Sequence, residues 1–320
     1  MIVSVIISTY NSSGFIIETL ESIAVQTWHN LELVVTDDCS TDNTVEVCRQ
    51  WIKENKSRFV RVELLTSEKN TGVSANANRG LQVAKGEWIK FLGADDTLKT
   101  NCIEDNMAFI ANNPEIKVLF SQVEVYRENF EINNYIKTIP GVITHYGSIL
   151  SPGITAEGQY KMLLITDRIH FSPSVFINRE TLQSIGGFDE RFPMMEDHPL
   201  WLNLTKAGHR LHFMDRVTVN YRQHSAAINN TNIDYLIKPN YFRSEDFRRI
   251  YTYPNLPRGI RLNQKWNWIA TQPYRSQLNR KTRLNSLLYA FLTIYLNPFR
   301  YYIYLKKRFI KNLKDYEFYE

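Results

Sequence analysis

Three short polar clusters in this chain have the residue types to hold a charged ligand: Thr9-Tyr10-Asn11, Asp37-Asp38 and Asp95-Asp96, each directly after an apolar, β-branched run. In an open parallel sheet, ligands bind in the crevice beyond the carboxyl ends of the strands. Asp, Asn and Ser also favour turns after strands, and that suffices to explain any one cluster. It does not explain three at one sheet edge, which together make a polar pocket. Adjacent carboxylates such as Asp95-Asp96 hold a divalent cation well, because hard Mg2+ and Mn2+ prefer oxygen ligands and bridge to phosphate oxygens. No Gly-x-Gly-x-x-Gly follows the first run and no Gly-Lys-Ser/Thr loop occurs. A dinucleotide site and a P-loop are therefore unsupported.

The elements that must position these clusters alternate in type. Ile2–Thr9 reads as a strand buried on both faces, Leu31–Thr36 as a second buried strand, and Arg61–Ser67 and Glu87–Leu92 as further strands. Between them lie helical patterns: Ile16, Ile17, Leu20, Ile23 and Ala24, then Val45, Val47, Cys48, Trp51 and Ile52 with caps from Ser40–Thr44, then Val73–Ala84 stopped by Gly86. That rhythm predicts right-handed crossovers and an α/β fold, a parallel sheet with helices on both faces. After Asp96 the rhythm changes, with a helix expected over Asn101–Asn112, a strand over Ile116–Tyr126 and a short strand over Ser174–Asn178. A helix is expected over Pro199–Ala207 and a strand over Leu211–Tyr221, whereas Glu128–Thr155 reads as a mobile or acceptor-facing loop. Beyond about Asn230 the chain turns aromatic and basic, which marks a separate C-terminal segment.

A length of 320 residues allows about two domains. At 43% apolar and 22% charged, the chain is neither disordered, collagen-like nor a disulfide-stapled miniprotein. Lys and Arg total 38 against 33 Asp and Glu, a net charge of +5, too small to mark a nucleic-acid binder unless clustered. Cys39, Cys48 and Cys102 are odd in number and lack Cys-x-x-Cys spacing, which predicts reduced thiols, no zinc site and a cytoplasmic location. The start Met-Ile-Val-Ser has no basic region, so a signal peptide is not expected, and no apolar run reaches the roughly 18 residues of a spanning helix.

Several stretches together resemble one family. Val3-Ser-Val-Ile-Ile-Ser-Thr-Tyr-Asn11, Leu31-Glu-Leu-Val-Val-Thr-Asp-Asp-Cys-Ser-Thr-Asp42, Asn70-Thr-Gly-Val-Ser-Ala-Asn-Ala-Asn78 and Gly86-Glu-Trp-Ile-Lys-Phe-Leu-Gly-Ala-Asp-Asp96 look like the family-2 glycosyltransferases of GT-A fold. Gly186-Gly-Phe-Asp-Glu-Arg-Phe192, Met195-Glu-Asp-His-Pro-Leu-Trp201 and Tyr221-Arg-Gln-His-Ser225 resemble the family's second half, in its order and spacing. The resemblance is strongest to bacterial enzymes that build surface polysaccharides. It implies a GT-A (Rossmann-like) catalytic domain over 1–230, with a mixed, mostly parallel sheet. The nucleotide-binding half would be 1–100 and the acceptor-binding half 101–230, followed by a helical C-terminal extension over 231–320. Nucleotide-sugar contacts would fall on Thr9, Tyr10, Asn11, Asp38, Asn76 and Asp95, the metal (Mn2+ or Mg2+) on Asp96, and the catalytic base on Asp197 with Glu196 beside it. Many relatives carry Asp where this chain has Gly93, so one carboxylate of the pattern is missing.

The chemistry of these groups agrees with the roles. A sugar hydroxyl becomes a competent nucleophile when a carboxylate takes its proton, worth about 10²–10⁴ in rate. A leaving nucleoside diphosphate develops charge that a metal stabilises. One base opposite one metal-bound leaving group gives in-line displacement and inversion. Glu196-Asp197 would equally suit the capped start of the helix at Pro199. His224 either ligates the metal or is a packing residue, Arg222 either pairs with phosphate or is a solvated edge charge, and Trp201 reads as core. The expected reaction is transfer of a sugar from a nucleotide-sugar donor, UDP-linked, to a saccharide or lipid-linked acceptor, with no nucleic acid involved and a homo-oligomer compatible. A sugar nucleotidyltransferase and a non-catalytic nucleotide-sugar-binding protein are the alternatives. In the tail, apolar Leu287–Leu296, the Asn297-Pro298 break, aromatic Phe299–Leu305 and basic Lys306–Lys311 suit either the inner face of a membrane or a helix pair packed on protein.

Overall fold

The apolar runs become strands because helices cover them on both sides. β1 (Val3–Thr9) and β2 (Leu31–Asp37) are buried almost throughout, β4 (Trp88–Gly93) is largely buried, and β3 (Arg61–Thr66) is a half-buried edge. They run parallel in the order β3-β2-β1-β4. The crossovers are α1 (Ile16–Ala24), α2 (Thr44–Asn55) and α3 (Val73–Val83). α1 shows the helical period directly: Ile16, Leu20 and Ile23 are buried while Ile17 faces out. The computed structural model describes residues 1–141, 149–165, 167, 169–224, 235–237 and 239–309.

The second half completes a nine-stranded mixed sheet. After β5 (Thr97–Leu98) and α4 (Cys102–Ala111) come β6 (Val118–Arg127), β7 (Tyr135–Ile139), α5 (Ala156–Leu163), β8 (Phe176–Asn178), α6 (Arg179–Ser184), α7 (Asp197–Lys206) and β9 (Leu211–Gln223). The strand order is β3-β2-β1-β4-β8-β6-β9-β5, with β7 beside β6. β6 and β9 pair in parallel from Val118↔Leu211 to Arg127↔Gln223, which carries the end of β9 to the turn after β4. Trp201 is fully buried, with its ring 4.9 Å from that of Phe120, and is core as expected.

One expectation needs correction. The stretch Glu128–Thr155 contains β7, hydrogen-bonded antiparallel to β6 from Val123↔Ile139 to Tyr126↔Tyr135. Its residues are all exposed or half-buried, so no apolar alternation announces the strand. Residues 142–148 of that stretch lie outside the described ones.

The chain divides into two compact units, Met1–Tyr160 with Arg168–Ala227, and Lys161–Asp167 with Ile228–Glu320. The second contains α8 (Pro239–Tyr251), α9 (Arg258–Thr271), α10 (Arg283–Ala290), a π turn at Phe291–Tyr295 and α11 (Pro298–Phe309). Its core gathers Ile237, Phe242 and Tyr274, with Tyr241, Tyr289 and Leu292 packed against them. Asn297 is fully buried, and its side-chain oxygen accepts the Phe299 and Arg300 N–H groups at 3.1 and 3.3 Å. The expected break at Pro298 is therefore a capped helix start. No described helix is long and apolar enough to cross a membrane. The side chains of the basic cluster 306–311, and residues 225–234 around the expected domain boundary, lie outside those described.

Candidate active site

The carboxyl ends of β1 and β2 are tied together by the residues that the sequence offered as nucleotide ligands. The buried Asp38 carboxylate accepts the Gly72 N–H at 2.7 Å, the Thr71 N–H at 2.9 Å and the Thr71 hydroxyl at 2.7 Å, and faces Arg79 Nη2 at 3.3 Å. Asn76 donates to the carbonyls of Thr36 and Thr9 at 2.9 and 3.3 Å, and its oxygen accepts Thr36 Oγ1 and Arg79 Nη1 at 2.6 and 2.7 Å. Both amide protons and both oxygen lone pairs of Asn76 are thus used internally. Asn11, at φ 49°, donates its N–H to Ser40 Oγ at 2.8 Å and accepts the Thr41 N–H at 2.8 Å. The Thr9 hydroxyl is buried with no hydrogen-bond partner among the described residues. Tyr10 is 44% exposed, a ring open to a ligand.

The turn after β4 carries Asp95 and Asp96, and α1 bolts it down: the Thr19 hydroxyl contacts the carbonyl oxygens of Ala94 and Asp96 at 2.9 and 2.8 Å. Arg222, on β9, reaches the same turn. Its backbone N–H donates to Asp96 Oδ1 at 2.9 Å, Nε to the Asp95 carbonyl at 2.8 Å and Nη1 to the Glu128 carbonyl at 2.6 Å, while Nη2 is paired with Glu18. The guanidinium carbon lies 4.2 Å from the Phe130 ring centroid and 5.0 Å from that of Phe15. At 4% exposure Arg222 is not a solvated edge charge. It is a buried brace for the acidic turn. His224 is buried, with Nε2 3.1 Å from Asp95 Oδ2 and its ring 4.5 Å from that of Phe15.

Glu196 stands at the N-cap position of α7 without a side-chain capping bond, and Asp197 is the first residue of the helix, where the N-terminus favours negative charge. Burial raises the Glu196 carboxyl above its ordinary pKa. The segment leading to this pair is fastened to α3. Val73 N–H donates to the Pro193 carbonyl at 2.8 Å, the Ser74 hydroxyl to that of Phe192 at 2.9 Å, and Asn78 exchanges hydrogen bonds with Phe188 at 2.9 Å in each direction. Gly72, at φ +89°, permits this approach, since a Cβ there would lie 2.4 Å from that of Pro193.

Tyr221 lies within the electrostatic reach of both acidic pairs. Burial first, and then the charges of Asp96, Asp95, Asp197 and Glu196, push its hydroxyl up to about 12. All four carboxylates therefore act on one tyrosine at the end of β9. The sequence quoted Tyr221 within a motif without giving it a part. The bracing part of Arg222 is not legible in the sequence, because its partners Phe15, Glu18, Asp95, Glu128 and Phe130 are scattered along the chain.

The acidic turn suits a divalent cation. Asp96 is 2% exposed, and no hydrogen-bond donor among the described residues reaches its Oδ2. Burial, then the charge of Asp95, hold its carboxyl well above the ordinary range despite Arg222 and the buried Lys90. A cation would relieve both penalties. Among the described residues no three Asp, Glu, His or Cys side chains form a closed metal centre. Mg2+ and Mn2+ do not need one, being commonly held by one or two carboxylates plus substrate phosphates. Gly93 matters here: a Cβ at this position would lie 2.8 Å from Asp95 Oδ1 and 3.5 Å from Asp96 Oδ2, in space the Asp95 carboxylate now uses.

Known proteins share this architecture. The chain is 29% identical over 240 residues to the Escherichia coli protein named UDP-Glc:alpha-D-GlcNAc-diphosphoundecaprenol beta-1,3-glucosyltransferase WfaP, covering 74% of this chain and 83% of that one. It is 27% identical over 237 residues to the putative glycosyltransferase EpsE of Bacillus subtilis, covering 73% and 78%. The crystal structure of S. aureus TarS 1-349 in complex with UDP-GlcNAc superposes with a TM-score of 0.58 at 20% identity, over 91% of this chain and 79% of that one, and shares the fold. Residues 4–182, over half of the chain, match the family model described as glycosyl transferase family 2, and the chain belongs to that family as a glycosyltransferase.

Proposed function

We propose that this glycosyltransferase moves a sugar, with inversion, from a UDP-linked donor to a saccharide carried on a lipid diphosphate, in the building of a bacterial surface polysaccharide. The observation that carries the reading is the buried acidic turn Asp95-Asp96 after β4, braced by Arg222, in a chain that also places Asp197 at the start of α7. The substrate class is supported by the E. coli relative, whose name specifies UDP-glucose and a diphosphoundecaprenol-linked acceptor.

Asp197 takes the proton from the acceptor hydroxyl as that oxygen bonds to the anomeric carbon, and the bond to the donor diphosphate breaks on the opposite face. Glu196 stands beside it as a second carboxyl with a raised pKa. Asp96 would hold Mn2+ or Mg2+, with Asp95 beside it near the donor's ribose, and the ion would neutralise charge on the leaving diphosphate. His224 contacts Asp95 and steadies its carboxylate, Tyr10 packs on the nucleotide, and Thr9, Asn11, Asp38 and Asn76 shape the turns that receive it. The catalytic domain is residues 1–230, with 231–320 as a C-terminal segment.

That segment holds the enzyme at the inner membrane face. Leu284, Leu287, Leu288, Phe291, Tyr295 and Leu296 are all exposed along α10 and the turn after it, an apolar face suited to the lipid interface. The test of the reading is turnover of a nucleotide-sugar panel by the full chain with a lipid-diphosphate saccharide acceptor, with Mn2+ or EDTA, and NMR of the product anomer. Retention of configuration, or turnover untouched by EDTA, would overturn it.

A further inference from the structure

α3 makes two sets of contacts from two of its faces. Asn76 and Arg79, three residues apart, turn toward the ends of β1 and β2, where they engage the Thr9 and Thr36 carbonyls, the Thr71 hydroxyl and Asp38. Ser74 and Asn78, four residues apart, lie roughly half a turn around the helix from Asn76. Both are buried, and both engage the chain between residues 188 and 192.

That chain fits closely against α3 at both ends. Asn78 Nδ2 donates to the Phe188 carbonyl at 2.9 Å and to Glu190 Oε1 at 2.8 Å, and its Oδ1 accepts the Phe188 N–H at 2.9 Å. A Cβ on Gly187, at φ +76°, would lie 2.5 Å from that oxygen. At the other end stands the close approach of Gly72 to Pro193. Between them the Ser74 hydroxyl donates to the Phe192 carbonyl at 2.9 Å, and the Met195 N–H donates to the same oxygen at 3.1 Å. Phe192 in turn donates its N–H to the Asp189 carbonyl at 3.1 Å. Two successive hydrogen-bonded turns therefore run from Asp189 to Met195, and Glu196 and Asp197 follow directly at the head of α7. The Phe192 oxygen, with a donor on each lone pair, fixes the second turn to the helix.

We infer that Ser74 and Asn78 are positioning residues for Asp197, and that α3 acts as a rigid ruler between the nucleotide turn and the catalytic base. The inference rests on the reading of Asp197 as that base, and adds the residues that set where it stands. Proton transfer requires the carboxylate within hydrogen-bond reach of the acceptor hydroxyl. A misplacement of about 1 Å there can cost about a hundredfold in rate. Asn76 and Arg79 leave α3 from the other face, so loosening Ser74 and Asn78 displaces the base and leaves the nucleotide turn in place.

The test compares wild type, Ser74→Ala/Asn78→Ala, Asp197→Asn and the combination of all three changes, each in the full chain with Mn2+. Release of UDP is followed from the nucleotide sugar that the wild type turns over fastest, and UDP affinity is measured by calorimetry. The double variant should lose about a hundredfold in kcat with UDP affinity unchanged. In the Asp197→Asn background the same pair should cost nothing further, because the group it positions is already gone. An equal fractional loss in both backgrounds overturns the inference, as does an unchanged kcat or a weakened UDP affinity that accounts for the whole effect. If the double variant unfolds, Ser74→Ala, which deletes one hydroxyl, replaces it, with kcat about fivefold lower expected and no change overturning the inference. Asp197→Asn with the turnover of the wild type is a separate result, which sinks the base reading and this inference with it, as would a wild type that turns over no nucleotide sugar.

Discussion

The backbone N–H of Arg222 donates to Asp96 Oδ1 across 2.9 Å, while its side chain reaches past the same turn to the Asp95 carbonyl and to Glu18. One residue of β9 thus sets both the position and the charge environment of the acidic turn after β4. Arg222→Lys keeps a positive charge but loses the fork that serves two carbonyls and a carboxylate at once. Stability should fall by about 2–4 kcal/mol, from buried carbonyls left without donors, and the donor KM should rise. Thermal unfolding and donor kinetics check this. A variant with a normal melt and a normal KM would remove the bracing role.

Asp96 should respond to pH with the sign of a carboxyl whose folded pKa is raised. Burial and Asp95 lift it above 3.8, so its contribution to stability is complete below that value and is lost as pH rises through the folded pKa. Asp96→Asn should flatten that loss in metal-free protein, and saturating Mn2+ should flatten it in the wild type. The same substitution should abolish Mn2+-dependent donor binding. Melts across pH with and without metal read the first effect, and titration of UDP reads the second.

Asp197→Asn should bind UDP and metal as the wild type does, with kcat lower by about 10²–10⁴. Pre-steady-state transfer assays separate the two quantities. A collapse of donor affinity with turnover retained would make Asp197 a donor ligand.

Asp38→Ala should cost about 2–4 kcal/mol, because the N–H groups of Thr71 and Gly72 lose their charged acceptor. Asp38→Asn keeps one acceptor oxygen and should recover part of the loss. If the carboxylate also touches the nucleotide base, Asp38→Asn weakens UDP more than inorganic pyrophosphate, which titration of both ligands measures.

Leu287 and Phe291 are 62% and 51% exposed on the apolar face of the C-terminal unit. Leu287→Glu/Phe291→Glu should leave the fold intact and reduce co-sedimentation with phosphatidylglycerol vesicles by about tenfold or more. Truncation near Tyr274 is the poorer experiment, since Tyr274 is fully buried at the centre of that unit's core. Equal sedimentation of both proteins would show that this face does not meet lipid.

The parallel half of the sheet was legible in the sequence because β1 and β2 are buried on both faces and must be apolar along their length. β7 was not, since an edge strand without a buried face carries no alternation. The acidic pairs could be found from their places after strands and before a helix. The work of Asp38 and Asn76 could not, because it depends on Thr71, Gly72 and Arg79, which only the fold brings near. Tyr221 and Arg222 are adjacent in sequence, yet one feels the charge of all four carboxylates and the other braces the turn, a division that only the fold assigns.

The contact of Gly72 with Pro193 also bears on how the enzyme is made. The first N–H of α3, that of Val73, finds its acceptor on Pro193, 120 positions later, and Asp96 finds the N–H of Arg222 later still. Such distant closures form late in folding. A chain that stops short of these residues lacks the acceptor of the Val73 N–H and the backbone donor to Asp96. The acidic turn thus depends on β9 lying beside β6, a pairing that a shorter chain lacks.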